Sequence, residues 1–301
     1  MSQIIEPLIS YCVLAYNQQE FIEESVISVL EQDYPCLEII ISDDNSTDST
    51  FLIIEEIVKR YKGRHKVILN KNESNLGIGA HFSKVANTLA NGDYMTILGG
   101  DDIAKSNHVS TSVTKLINTP GVNMIDCSAD IIDTKSNFVK GIDLDFVERL
   151  YSLEDFLKLE KSFFFAPGRM FSKKIIKDFP LIDKKCPSED YPLIFRGLLN
   201  GGILRINEPL ILYRIHENNT SSAAGLNKIA HEDIIGQLIK DLASFHNAGN
   251  MSRIILINVL RRVLYELEYR HLVYSENYKK LSYFNMKVKA IYLKYKYLIF
   301  R

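Results

Sequence analysis

Two adjacent carboxylates, Asp101 and Asp102, follow the apolar run YMTIL and two glycines, Gly99 and Gly100. Neighbouring carboxylates repel each other unless a cation or solvent compensates. Mg²⁺ and Mn²⁺ bind one or two carboxylates together with substrate phosphates, and glycines let a phosphate approach the backbone. The pattern therefore predicts a divalent-cation and diphosphate site, with a solvated turn as the alternative.

Two further acidic pairs stand at the expected ends of strands or helices. Asp43 and Asp44 follow the run LEIIIS, where a carboxylate can accept hydrogen bonds from a nucleobase or ribose. Their alternative role is a helix start, because Asn, Ser and Thr follow. Glu189 and Asp190 precede an apolar helical stretch. One of them could act as a general base on a hydroxyl, or the pair could simply favour a helix N-terminus.

Arg214 and His216 lie two residues apart on a predicted strand, which places both side chains on one face. An arginine suits a diphosphate, and a neutral histidine can bind a metal ion. A purely structural histidine is the alternative.

Apolar runs and helical periodicities alternate over the first hundred residues. Strands are predicted at 8–15, 37–42, 66–69 and 94–98, with helices over about 21–30, 50–61 and 79–90. Asn17 is a good N-cap for the first helix. This order indicates right-handed βαβ units and a largely parallel sheet. Ligands bind beyond the carboxyl ends of such strands, where the clusters at 16–17, 43–44 and 101–102 all stand.

The rest of the chain is less regular. A strand is predicted at 124–132, helices at 153–159 and 193–199, and an edge strand at 211–215, with an aromatic run at 163–168. The composition changes near Gly225, and the remainder is predicted to be helical.

Composition excludes several classes. The net charge of −1 argues against a nucleic-acid-binding protein. Four scattered cysteines without a CxxC pair support neither a zinc site nor a disulfide framework. No apolar stretch is long enough to cross a bilayer, so a cytoplasmic protein is expected.

Taken together, the motifs resemble the family-2 glycosyltransferases with the GT-A fold, from about residue 8 to residue 222. The opening is similar to that family's start over ISYCVLAYNQQEFIEESVISVLEQDYPCLEIIISDDNSTDST. A second segment resembles the stretch that leads to the family's metal-binding acidic motif, namely NESNLGIGAHFSKVANTLANGDYMTILGGDD. Two later segments resemble the family's ED motif and its closing YRxH segment, namely PSEDYPLIFRGLLNGG and LYRIHENNTS, respectively.

The resemblance implies an α/β GT-A fold, which is a Rossmann-like, mainly parallel sheet flanked by helices, with a helical C-terminal extension. It places the catalytic domain at residues 1–224. The nucleotide-sugar half ends at about 105, and the acceptor half spans 106–224. Residues 225–301 form the helical region.

The resemblance also implies roles. Asp190 would be the general base, and Glu189 would support it or bind the acceptor. Mn²⁺ or Mg²⁺ would be held by Asp101, Asp102 and His216. The nucleotide-sugar donor would contact Ala15, Tyr16, Asn17, Asp43, Asp44, Asn75, Gly77, Gly100 and Arg214.

There is one departure from the family pattern, because many members have an aspartate where this chain has Gly99. The ligand set therefore stays open between a weaker metal site and compensation by Asp102.

The expected function is an inverting transfer of a sugar from a nucleoside-diphosphate donor, taken as a UDP-sugar, to an acceptor hydroxyl. A lipid-linked saccharide in surface-polysaccharide or O-antigen assembly is the expected acceptor. The alternatives are a dTDP-deoxysugar (rhamnosyl) transferase and, given Gly99, a nucleotide-sugar-binding protein without turnover. A sugar-nucleotide pyrophosphorylase would need a glycine-rich basic loop where this chain has YNQQ.

A basic amphipathic pattern marks residues 281–301. The apolar positions alternate by three and four and comprise Leu281, Phe284, Val288, Ile291, Tyr295 and Leu298. The pattern favours either peripheral binding at the cytoplasmic face of the inner membrane or a helix packed on the catalytic domain with a solvated basic face.

Overall fold

The computed structural model describes residues 6–142, 148–158, 166–217, 219 and 230–274. Its strands are β1 (Ile9–Ala15), β2 (Leu37–Asp43), β3 (Lys66–Lys71), β4 (Tyr94–Gly99), β5 (Ile103–Ala104), β6 (Met124–Ile132), β7 (Phe138–Gly141), β8 (Arg149–Tyr151), β9 (Met170–Ser172) and β10 (Ile203–Arg214). Its helices are α1 (Ile22–Leu30), α2 (Thr50–Arg60), α3 (Ile78–Lys84), α4 (His108–Ile117), α5 (Leu153–Leu157), α6 (Lys174–Lys177), α7 (Asp190–Leu199), α8 (His231–Asn247) and α9 (Arg253–Tyr274). A π-helical turn, Val85–Leu89, continues α3.

Within these residues ten strands form one mixed sheet in the order β3-β2-β1-β4-β9-β6-β10-β5, with β7 beside β6 and β8 beside β10. The first four strands in this order are parallel. They match the strands and intervening helices predicted for the first hundred residues, which are confirmed. Both β1 and β2 are buried along their whole length, which explains their nearly continuous apolar sequences.

Alternate residues of β1 face two different cores, as the pleat requires. Tyr11 and Val13 belong to the core that α1 and α4 cover. Cys12 and Leu14 belong to the core that α3 and α7 cover. Helices therefore cover both faces of the sheet, and burial of each large aliphatic side chain contributes about 1.5–3 kcal/mol.

The second half of the sheet departs from a simple parallel order. The short strand β9 is antiparallel to both β4 and β6, whereas β10 is parallel to β6. The prediction of an edge strand at 211–215 is wrong, because β10 begins at Ile203 and lies between β6 and β5. Its register shifts on both sides of Pro209. A proline cannot donate to the hydrogen bonds between strands and is tolerated at such irregularities. The sequence pattern therefore indicated only the part of the strand after Pro209.

The predicted helical character after Gly225 is confirmed for α8 and α9. Buried Arg196 of α7 donates two hydrogen bonds to Asp241 of α8, at 2.7 and 2.9 Å, so the C-terminal helices pack firmly on the sheet-covering helix. The amphipathic pattern at 281–301 lies outside the described residues, and the division at residue 224 stays a prediction. Within the part that the structure describes, every helix is too short or too polar to pass through a lipid bilayer.

Candidate active site

Three parallel strands end side by side at one edge of the sheet. Ala15 is in register with Asp43, and Leu14 is in register with Gly99. The amide of Gly100 donates to the Leu14 carbonyl (3.2 Å). The structure therefore brings the end of β1, the first acidic pair and the start of the GGDD motif to one place.

Asp43 is completely buried at the end of β2. One of its carboxylate oxygens accepts from the Ser46 amide (2.9 Å), and the other accepts from the Ser46 hydroxyl. Because a carboxylate offers about four lone-pair positions, Asp43 keeps acceptor capacity beyond the turn that it stabilises.

Asp44 has a different position, with its carboxylate holding the loop that precedes α3. It accepts from the side chain of Asn72 (2.7 Å) and from the amides of Leu76 and Gly77 (both 3.0 Å). Gly77 has φ +78°, a conformation that favours glycine, and it also donates to Asn75 Oδ1. Asp44 thereby fixes Gly77, and Gly77 in turn holds Asn75, beside the end of β2.

Tyr16 and Asn17 form the turn after β1. Tyr16 is 44% exposed. Asn17 takes φ +51°, and its side chain accepts from the Thr47 amide (2.8 Å). The prediction that Asn17 caps the first helix is wrong, because Phe21 precedes α1 directly. Asn17 instead ties the β1 turn to the loop after β2.

The acidic motif faces the end of β10. Asp101 Oδ2 and His216 Nε2 are 3.0 Å apart, and their side chains are 18% and 11% exposed. Asp102 instead accepts from the Arg214 amide (3.0 Å) and is buried. Burial and the neighbouring Asp101 raise the pKa of Asp102 well above its ordinary value. Among the described residues no three His, Cys, Asp or Glu side chains are grouped to hold a metal ion.

Arg214 is fully buried with its guanidinium engaged by the protein. Nε donates to the Asp101 carbonyl (2.8 Å), and Nη1 donates to the Asp133 carbonyl and Ser136 Oγ (both 3.0 Å). Nη2 donates to Glu24 (2.6 Å). Arg214 therefore holds the backbone of the acidic motif, and its nitrogens are not presented to a phosphate.

Glu189 and Asp190 stand at the N-terminus of α7, and the Asp190 side chain is 37% exposed. Arg169 Nη1 lies 3.5 Å from Asp190 Oδ1. Burial, and then the neighbouring Asp190, raises the pKa of Glu189 to about 8. Burial also raises the pKa of Asp190, and the charge of Arg169 opposes that shift. The pair therefore combines one carboxyl that holds its proton at neutral pH with one that can receive a proton.

Sequence reasoning missed Arg169 and its buried partner Asp126. Each sits in a mostly apolar stretch, GRMFS and MIDCSADII. A charged residue in such a stretch is rarely buried unless it is paired, and that was the available signal.

Arg169 also locates Asp190 relative to the acidic motif. The Gly168 amide donates to the Ile97 carbonyl (3.0 Å), so Arg169 lies beside the last residues of β4, and Asp101 follows that strand closely. Asp190, which lies beside Arg169, is thereby connected to the strand from which Asp101 follows.

Comparison with known proteins agrees with this geometry. Residues 10–179 match the model of Glycosyl transferase family 2. The chain belongs to this family. An uncharacterized glycosyltransferase of Haemophilus influenzae is 30% identical over 293 residues, which cover 87% of this chain and 85% of the relative. The GalNAc(5)-diNAcBac-PP-undecaprenol beta-1,3-glucosyltransferase of Campylobacter jejuni is 28% identical, covering 77% and 72%. The predicted glycosyltransferase activity is confirmed at this level.

Solved structures confirm the GT-A fold of this family-2 chain. Staphylococcus aureus TarS 1-349 in complex with UDP-GlcNAc superposes with a TM-score of 0.64 at 17% identity, covering 96% of this chain and 80% of TarS. The mannosyltransferase PcManGT of Pyrobaculum calidifontis, in complex with GDP-Man and Mn²⁺, gives 0.55 at 14% identity, covering 98% and 88%.

Proposed function

We propose that this glycosyltransferase moves a sugar from a UDP-sugar to an acceptor hydroxyl with inversion at the anomeric carbon. One observation carries the proposal. Asp190 is a partly exposed carboxylate beside buried Arg169, whose neighbour Gly168 bonds to β4 at Ile97, four residues before Asp101 of the Asp101–His216 pair. A proton acceptor close to a pair that can hold the cation of a diphosphate would suit direct transfer of the sugar between two bound substrates.

The donor nucleotide would lie along the carboxyl ends of β1, β2 and β4. Asp43 has lone pairs left for a nucleobase N–H, and Tyr16 is exposed at the same edge. The remaining donor-facing positions are backbone or loop residues held by the contacts described above, namely Ala15, Asn17, Asp44, Asn75, Gly77 and Gly100. The TarS complex with UDP-GlcNAc supports a UDP-sugar, because TarS shares the fold.

Asp101 and His216 fit Mn²⁺ or Mg²⁺, because one carboxylate and one imidazole face each other and are partly exposed. Such cations take few protein ligands and complete their shell with phosphates and water. When bound, the cation would stabilise charge on the departing diphosphate. Asp102 and Arg214 act behind this pair, because the Arg214 amide fixes Asp102 and its guanidinium fixes the Asp101 carbonyl.

Asp190 would accept the proton of the acceptor hydroxyl while that oxygen attacks the anomeric carbon. The bond from the acceptor oxygen to this carbon forms as the bond to the diphosphate oxygen breaks on the opposite face. A single displacement of this kind inverts the centre and needs no second carboxylate as nucleophile. Glu189, which keeps its proton at neutral pH, would donate a hydrogen bond to the acceptor.

The acceptor is proposed to be a lipid-linked saccharide in surface-polysaccharide assembly. The name of the Campylobacter relative, which contains PP-undecaprenol, supports this class. The basic pattern at 281–301 would bring the enzyme to the cytoplasmic face of the membrane. Flotation with anionic liposomes at low salt tests this last point, and failure to float would reject it.

The central experiment compares Asp190→Asn with Asp183→Asn, a partly exposed carboxylate in the preceding loop. Transfer should fall about 100-fold or more in the first variant, with donor affinity unchanged, and stay near wild type in the second. Normal turnover in Asp190→Asn would refute the base assignment. Asp101→Ala should remove the response of donor binding to Mn²⁺.

Two alternatives are decided by the same assays. A dTDP-deoxysugar donor would be preferred over UDP-sugars in the wild-type transfer assay if that alternative holds. Donor binding without transfer or hydrolysis, at saturating Mn²⁺ and with a range of acceptors, would favour a nucleotide-sugar-binding protein.

A further inference from the structure

The guanidinium of Arg169 is divided between two carboxylates. Nε donates to Asp126 Oδ1 (2.6 Å), and Nη2 donates to Asp126 Oδ2 (3.0 Å), with both side chains buried. This two-point pairing fixes the plane of the guanidinium. The third nitrogen, Nη1, then points at Asp190 and lies 3.5 Å from both its Oδ1 and its backbone carbonyl.

We propose that Arg169, held by Asp126, is a positioning residue that fixes the orientation and the ionised state of the Asp190 carboxylate. The proposal rests on the proposed function, because it assumes that Asp190 receives the acceptor proton. The contact at 3.5 Å is at the outer limit of a hydrogen bond. It orients the carboxylate while leaving its lone pairs available for the acceptor.

The charge of Arg169 lowers the pKa of Asp190 and so favours its ionised form, whereas burial and the charge of Asp126 raise that pKa. Arg205 of β10 is in register with Asp126 and is buried. Among the described residues, its Nε and Nη2 have no hydrogen-bond partner. Two guanidinium groups and the Asp126 carboxylate leave one positive charge beneath α7, which an ionised Asp190 balances. Burial alone would favour protonated Asp190 and remove the base.

Other charged groups border α7 without joining this cluster. Buried Asp241 of α8 is paired with Arg196, further along α7, and Glu189 holds its own proton at neutral pH. The helices α5 and α6 contribute Glu154, Asp155, Lys174 and Lys177. Among charged groups, the charge state of Asp190 should therefore depend mainly on the buried Arg169–Asp126 pair.

The test uses two substitutions with opposite expected effects on the pH profile of kcat/KM, measured with Mn²⁺ and donor saturating. Arg169→Lys keeps a positive charge, but an ammonium cannot pair with both carboxylates as a planar fork does. In Arg169→Lys the acid limb of the profile should move upward by about one pH unit. Its kcat should be reduced at neutral pH and recover partly at high pH, while its affinity for the donor stays unchanged. Asp126→Asn removes the neutralising charge, so its acid limb should move downward.

Arg60→Lys, at an exposed helical ion pair, is the matched control and should leave the profile unchanged. A purely structural role for Arg169 would lower activity by one factor at all pH values, and that result would overturn the proposal. A shift of both variants in one direction would also overturn it. The Asp190→Asn variant separates the two hypotheses. Full activity there refutes the proposed function, whereas lost activity there with an unmoved Arg169→Lys profile refutes only the positioning role.

Discussion

Gly79, in the first turn of α3, supports a prediction that follows from packing alone. A Cβ placed on Gly79 would lie 2.6 Å from the Cys186 carbonyl oxygen and 3.3 Å from the Ile182 side chain. Ordinary van der Waals contact begins at 3.4 Å, so the backbone must separate by several tenths of an ångström. The affected carbonyl lies three residues before Glu189, on the loop that leads to α7.

Gly79→Ala should therefore destabilise the protein. Overpacking a close contact costs about 1–3 kcal/mol, and the better helix propensity of alanine returns at most about 1 kcal/mol. The net cost should be roughly 1–2 kcal/mol, taking these two contributions together. Gly236→Ala is the matched control, because this glycine of α8 has no atom within 4 Å of an added Cβ. That variant should gain up to about 1 kcal/mol.

Urea denaturation followed by circular dichroism measures both changes as shifts of the midpoint in opposite directions. Because the displaced loop carries the Glu189–Asp190 pair, Gly79→Ala should also lower transfer turnover more than donor affinity. A Gly79→Ala protein as stable as the wild type would show that the loop around Cys186 moves away from the added Cβ at little energetic cost. In that case α3 and the loop before α7 would not be rigidly packed against each other.

Three further predictions concern charge and thiol chemistry. Burial raises the pKa of Glu189 from its ordinary 4.5 to about 8 in the folded protein, so the slope of wild-type stability against pH should be negative as the pH rises between these values. Glu189→Gln should lack that slope in denaturant titrations at several pH values. Arg196→Met should cost about 3–5 kcal/mol by leaving buried Asp241 without its ion-pair partner, whereas Lys240→Met, at an exposed pair, should leave stability near that of the wild type. With a thiol reagent such as DTNB, only Cys36 should react quickly before denaturation, since the other three thiols are buried; rapid labelling of two or more would contradict this.

The first half of the fold was predictable because each strand there is local and buried. An apolar run such as LISYCVLA is typical of a strand in a sheet that is covered on both faces. A carboxylate that follows such a run must lie at the end of that strand. The positions of Asp43 and Asp101 at one edge followed from topology rather than from any distance in the sequence.

The second half was harder because its elements are short or interrupted. The strand β9 has three residues, too few for a periodicity, and its partners come from distant parts of the chain. The helix α4 has the spacing Val109, Val113 and Leu116, but its serine, threonine and valine content is poor in helix propensity. The ion pair between Arg169 and Asp126 joins residues 43 apart, and nothing local indicates which charges will meet.

Gly99 shows how a departure from a family pattern can be explained by packing. A Cβ at this position would lie 2.6 Å from Asp101 Oδ1, so a larger residue would displace the carboxylate that now faces His216. An aspartate there would also add a further carboxylate beside Asp101 and buried Asp102, which would disfavour ionisation of the group. Glycine at 99 therefore permits the Asp101–His216 arrangement, in which an imidazole would supply the second ligand to the proposed cation. On this argument the missing aspartate favours an altered ligand set over a loss of turnover.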